Sequence, residues 1–137
     1  MFGALDISTS ALVAQRTRME IISANIANRE AIYDANGNYN PFRRRIAMFA
    51  PGDPTTGNSQ GVHVSRIELD QAPFRKVYDP GHPSADEQGY LGLPNIDPAY
   101  EMINAIDAKA AYDANITAAS DQVHDAKCFE IAGLRKD

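Results

Sequence analysis

No glycine or proline interrupts the chain between Ala99 and Ala132, and alanine is frequent there. Helix propensity that high over so long a stretch commits the C-terminal third to one helix. Asp97 stands ready as N-cap, with Pro98 at the first helical position, where its missing N–H costs no intrahelical bond and its fixed φ suits the helix. Glu101 in the first turn suits the positive end of the helix dipole. Gly133 is placed to stop the helix in the left-handed C′ conformation, with Leu134 against Phe129 and with Arg135 and Lys136 beside the negative end. If all 34 residues from Ala99 to Ala132 are helical, the rod is roughly 50 Å long. A helix of that length needs a partner.

Its spacing says where the partner lies. Tyr112, Ile116, Ala119, Val123 and Ala126 follow the 4-3-4-3 rhythm of a and d positions. Extended backwards, the seam passes Lys109 to Ala105 and Met102, while Ile103, Ile106 and Ala110 form a neighbouring stripe. That apolar surface is wider than a two-helix seam needs, although an amphipathic core helix is the plainer account. The natural partner is the other end of the chain, where a helix is expected from about Asp6 to Asn28. Leu5, Leu12, Met19 and Ile26 recur every seven residues, with Ile22 at an added i+3 position. Ser8 and Gln15 fill the other inward places, so the seam is weak and packing within or between subunits must hold it.

The middle is built differently. Eight prolines and nine glycines fall almost wholly between residues 37 and 98, dividing the chain into two helical ends and a turn-rich centre. Asn36-Gly37 is a strong turn signal. Asp34 to Asn38 superficially resembles a calcium loop, but glycine stands at position four, and Arg45 replaces the glutamate expected at position twelve. Arg43-Arg44-Arg45 leads into a strand at Ile46 to Phe49, and such a run is expected to be solvated or paired with acids. Pro51 to Gly61 reads as a long hairpin connection. Val62 and Val64 face one way and Ile67 and Leu69 the other, a phase change that predicts a bulge near Ser65-Arg66. Phe74 to Tyr78 is a candidate third strand, and Asp79 to Pro98 is expected to be extended and irregular.

Chemistry is sparse. His82 lies near Asp79, Asp86 and Glu87, yet these lack the spacing of a metal site, and a loop turn accounts better for the histidine. There is no zinc-binding cysteine or histidine motif, glycine-rich phosphate loop or Gly-x-Ser-x-Gly elbow. Cys128, alone in the chain, is expected to be a buried small residue. Net charge is −5, against a nucleic-acid partner. No apolar run approaches the ~18 residues of a membrane span, and the N-terminus lacks the basic-then-apolar pattern of a cleaved signal peptide. The residues call for no cofactor, metal or small-molecule substrate, and the chain reads as structural rather than enzymatic.

Leu5-Asp6-Ile7-Ser8-Thr9-Ser10-Ala11-Leu12, with Gln15-Arg16 and Ala24-Asn25-Ile26-Ala27-Asn28, resembles the N-terminal signature of the bacterial flagellar rod and hook axial proteins. Phe42-Arg43-Arg44, Gly61-Val62-His63-Val64, Tyr78-Asp79-Pro80-Gly81-His82-Pro83 and Leu93-Pro94-Asn95-Ile96 are similar to the proximal-rod branch of that family, as is Ala111-Tyr112-Asp113-Ala114-Asn115-Ile116 in the last helix. The resemblance implies a mainly α fold with a small β part. The terminal helices, residues 1–32 and 98–137, would pack as a coiled-coil-like core, and residues 33–97 would form a middle segment with a β-hairpin and an extended loop. It implies a subunit of the proximal rod, which transmits torque and surrounds the export channel. The partners it implies are copies of the chain, other rod proteins and the flagellar type III export apparatus. The location it implies is the periplasmic rod of the basal body, reached without a cleaved signal peptide. The expected assembly surface is Leu5, Leu12, Met19, Ile22 and Ile26 with Tyr112, Ile116, Ala119 and Val123, its helices poorly ordered until assembly. Three rival readings are a different rod or hook subunit, a metal-dependent enzyme built on His82, and a self-contained coiled-coil adaptor.

Overall fold

The cap at Asp97 forms as its sequence predicts. Its Oδ1 accepts the N–H of Ala99 at 3.0 Å and its carbonyl accepts that of Glu101 at 3.0 Å. From there α2 runs from Pro98 to Leu134 without a break. The structure is a computed structural model and describes residues 2–55 and 57–134. Gly133 does not end the helix; it lies inside it. Glycine costs a helix only about 1 kcal/mol, and a left-handed stop gains its advantage when the following chain folds back onto the last turn. Arg135 and Lys136, expected beside that end, lie outside the described residues.

The N-terminal helix α1 spans Phe2–Ala27, four residues earlier than its expected start. It packs antiparallel to α2, its last turn against the first turn of α2. Between them come two separate antiparallel hairpins, giving a mainly α fold with a small β part, as expected. The first pairs β1 (Arg45–Asp53) with β2 (Asn58–Leu69). Its strands are longer than expected: Pro51 to Asp53 and Asn58 to Gly61, read from their proline, glycine and polar residues as connection, are paired strand. Two glycines with positive φ, Gly52 and Gly61, provide the irregularity that lets them pair. The bulge lies where the phase change placed it. Met48 pairs with Arg66 and Phe49 with Val64, leaving Ser65 as the extra residue, its Oγ donating to the Met48 carbonyl at 3.1 Å.

This hairpin lies along α1. Ser10 Oγ accepts the N–H of Val62 at 3.2 Å while donating to the Ile7 carbonyl at 2.7 Å. Gly61 makes that approach possible, because a Cβ there would stand 2.6 Å from Ser10 Oγ.

The second hairpin pairs β3 (Arg75–Tyr78) with β4 (Tyr90–Leu93). The strand β4 corrects the expectation of irregular chain from Asp79 to Pro98. Its glycine reads as a breaker in sequence, but in space Gly92 is where Tyr39 crosses the strand, its hydroxyl donating to the Gly92 carbonyl at 2.7 Å. The predicted turn before β1 is an Asx turn, with Asp34 Oδ1 accepting the N–H groups of Asn36 and Asn38, and Gly37 at φ 81°. Ile32, Leu91 and Ile96 extend the buried apolar set beyond Ala14, Ile21, Ile22 and Ala108 of the helices.

Candidate assembly interface

Four polar side chains join the ends of the chain to its middle. Glu101, fully buried in the first turn of α2, accepts from Asn25 Nδ2 at 3.3 Å through one oxygen and from Arg44 Nε through the other. Arg44 also reaches Asp70 at 3.7 Å and lies 5.3 Å over the ring of Tyr100. Asn25 in turn grips the backbone of Arg45 on both sides, accepting its N–H at 2.9 Å and donating to its carbonyl at 2.9 Å. A buried carboxylate is tolerated when an opposite charge and hydrogen bonds satisfy both oxygens. Both conditions are met here. The other two arginines have no carboxylate partner in this network, and Arg45 is exposed. Arg43 donates to the carbonyls of Asp70 and Ala72 and covers Phe74 at 4.4 Å, and Arg45 covers Phe42 at 5.2 Å. Sequence reading missed Glu101 and Asn25 as partners because 76 residues separate them; the only local signal was an acid at a helix start.

The seam between the helices is offset from the expected one. Along α2 the covered positions Glu101, Ala105, Ala108, Tyr112, Asn115, Ala119, Gln122 and Ala126 follow a 4-3-4-3 rhythm, flanked by the half-buried Asn104 and Ala111. Tyr112 and Ala119 of the expected set belong to it. Ile116 and Val123 do not: they are displaced by Asn115 and Gln122 and stand 41% and 40% exposed. On α1 Ile22 is buried, Leu5, Leu12, Met19 and Ile26 are half-buried, and Ser8 and Asn25 are the buried polar residues. The intrachain seam is therefore alanine-rich and polar, with the carbonyl oxygens of Gln15 and Gln122 buried and unpartnered. The richer apolar residues of α2, Met102, Ile103, Ile106, Ile116 and Val123, lie outside that seam and stay exposed.

The other candidates fall elsewhere. His82 turns the loop, its Nδ1 accepting the N–H of Ser84 at 3.0 Å and its ring stacked on Tyr33 with centroids 6.5 Å apart. Among the described residues no three His, Cys, Asp or Glu side chains are grouped to hold a metal. Cys128 corrects its expectation: it is exposed, 3.7 Å from His124 one turn back, because it lies off the face on which Ala119, Gln122 and Ala126 are covered. No helix among the described residues is long and apolar enough to cross a membrane.

Residues 5–29, which make up most of α1 and include Asn25, match the family described as flagella basal body rod protein. The flagellar basal-body rod protein FlgC of Bacillus subtilis is 38% identical, the match covering 85% of this chain and 87% of that one. That of Aquifex aeolicus is 41% identical over 88% and 87%, and that of Salmonella typhimurium 38% over 85% of each. The chain belongs to the FlgC family. It is a structural subunit of the flagellar basal-body rod, and the similarity to FlgC proteins along nearly the whole chain disfavours both a different axial subunit and an enzyme built on His82. For an FlgC-family chain, an apolar helix face left open by its own fold is a surface other subunits can cover.

Proposed function

We propose that the chain builds the proximal rod through its terminal helices, without catalysing a reaction. Residues 1–32 and 98–137 form the assembling core and residues 33–97 an outer segment tied to it at Asn25, Arg44 and Glu101. The observation that carries this reading is the outward stripe of α2. Exposed isoleucines on a helix whose inward seam is alanine, asparagine and glutamine mark an interaction surface. The expected set from Leu5 to Ile26 and from Tyr112 to Val123 then divides by role. Ile22, Tyr112 and Ala119 hold the helix pair together, while Ile116 and Val123 face neighbouring subunits, with Leu5, Leu12, Met19 and Ile26 on the flank between.

Contacts between unlike faces, where the rotation does not close into a ring, generate an open helical array. Such an array can be a tube around the export channel and can transmit torque. The partners are copies of the chain, other rod proteins and the type III export apparatus, which passes the chain to the periplasmic rod. Electron microscopy of basal bodies from cells lacking the chain tests the reading. The inner-membrane ring should remain while rod, hook and filament are missing. Complete flagella in those cells would overturn it.

A further inference from the structure

We infer that the end of α2 docks, through Phe129, into the groove between α1 and the first hairpin of a second copy of the chain. This rests on the rod reading above and specifies one contact within it. The groove has a volume of about 740 Å³ and runs between Asp6, Val13 and Thr17 of α1 and Val62, Val64 and Ile67 of β2. Val13 is 62% exposed on its edge. These α1 positions lie on a different face from Ser8, Ile22 and Asn25, so a guest in the groove would not compete with α2 of the same chain.

The guest is indicated by a mismatch in length. From the Asn25–Glu101 contact, α1 continues 23 residues back to Phe2 and α2 33 residues on to Leu134. About ten residues of α2, roughly 15 Å, therefore overrun the end of α1. The seam positions Ala119, Gln122 and Ala126 continue in the same rhythm to Phe129, which has passed the end of its partner and is 71% exposed. A continuous helix cannot return this end to the groove beside its own α1. In another copy, Phe129 would meet the valines and isoleucine, the usual mode in which a helix ridge fills an apolar groove.

Cys128, beside Phe129 and alone in the sequence, reports on the contact. Cells carrying Val13→Cys or Ile67→Cys, exposed positions on opposite walls, would supply basal bodies for mild oxidation, with Ile106→Cys as control. A disulfide-linked dimer of the chain is expected for both groove variants, absent when Cys128→Ser is added. Phe129→Ala should lower its yield about tenfold, as loss of a central aromatic anchor does. Chain present in the rod without the dimer, or linked only to a protein of another mass, would overturn the docking while leaving the rod reading intact. Basal bodies that lack even the unaltered chain would overturn both.

Discussion

Replacing Glu101 with glutamine changes one atom at the junction of both helices and the hairpin. The carboxylate accepts on both oxygens, from Asn25 and from Arg44. An amide has only one acceptor, so one of these donors must lose its partner, and the arginine loses its closest counter-charge. Removing one member of a buried ion pair costs about 3–5 kcal/mol. Here the carboxylate is 0% exposed and the guanidinium 18%, and Arg44 keeps Asp70 at 3.7 Å. The expected loss is accordingly at or below the bottom of that range, about 2–3 kcal/mol. With a urea dependence of roughly 1.5–2 kcal/mol per molar, the unfolding midpoint followed by far-UV circular dichroism should fall by roughly 1–2 M. Glu101→Leu alone should be at least as damaging, but Glu101→Leu with Arg44→Met should recover much of the loss, since apolar replacement of both partners leaves only Asp70, which is partly solvated, without its arginine. A midpoint unchanged by Glu101→Gln, or additive losses in the double variant, would refute the view that these groups act as one unit.

Three further outcomes follow from the packing. Gly61→Ala forces a Cβ to 2.6 Å from Ser10 Oγ at φ 96°; it should lower the melting temperature by roughly 6–10 °C, and Ser10→Ala should relieve part of that loss. Ile116→Asp should leave the helicity of the free chain intact because the side chain is already partly solvated, yet remove the chain from purified basal bodies through an unpaired charge in a subunit contact; a normal rod would count against the outward stripe. In the free chain, amide hydrogen exchange should be slowest around Asn25, Arg45 and Glu101 and fastest at the opposite end of the helix pair, where α2 loses its partner; uniform protection along α2 would contradict ordering on assembly.

The helices and their cap were legible in sequence because propensity and the Asp97-Pro98 signal act over a few residues. The bulge at Ser65 was legible for a similar reason: a strand has only two faces, and an apolar phase change must be absorbed somewhere. The hidden part is what depends on distant neighbours. Apolar spacing selects Ile116 and Val123 for the inner seam, whereas the folded pair uses Asn115 and Gln122 one residue earlier. Ser8 and Gln15 had already signalled an inner seam that is not strongly apolar. The glycine at 92 disfavours a strand locally, yet β4 forms there with the Tyr39 hydroxyl on its carbonyl, and Glu101, a local match for the helix dipole, is paired with Arg44 from 57 residues away. In each case a local rule gave the residue's preference, and a remote contact decided its use.

Asn25 has one more effect. Its amide offers the same donor and acceptor as a peptide unit, and Arg45 receives both as it would from a neighbouring strand. At its first residue the outer edge of β1 is thus already occupied by a side chain posing as backbone. Open strand edges invite pairing between chains, with fibrous aggregation as the hazard. A subunit of a rod has to discriminate between ways of associating. By capping the start of this edge with the same residue that anchors the helix pair, the chain ties correct docking of its ends to blocking strand addition at that point.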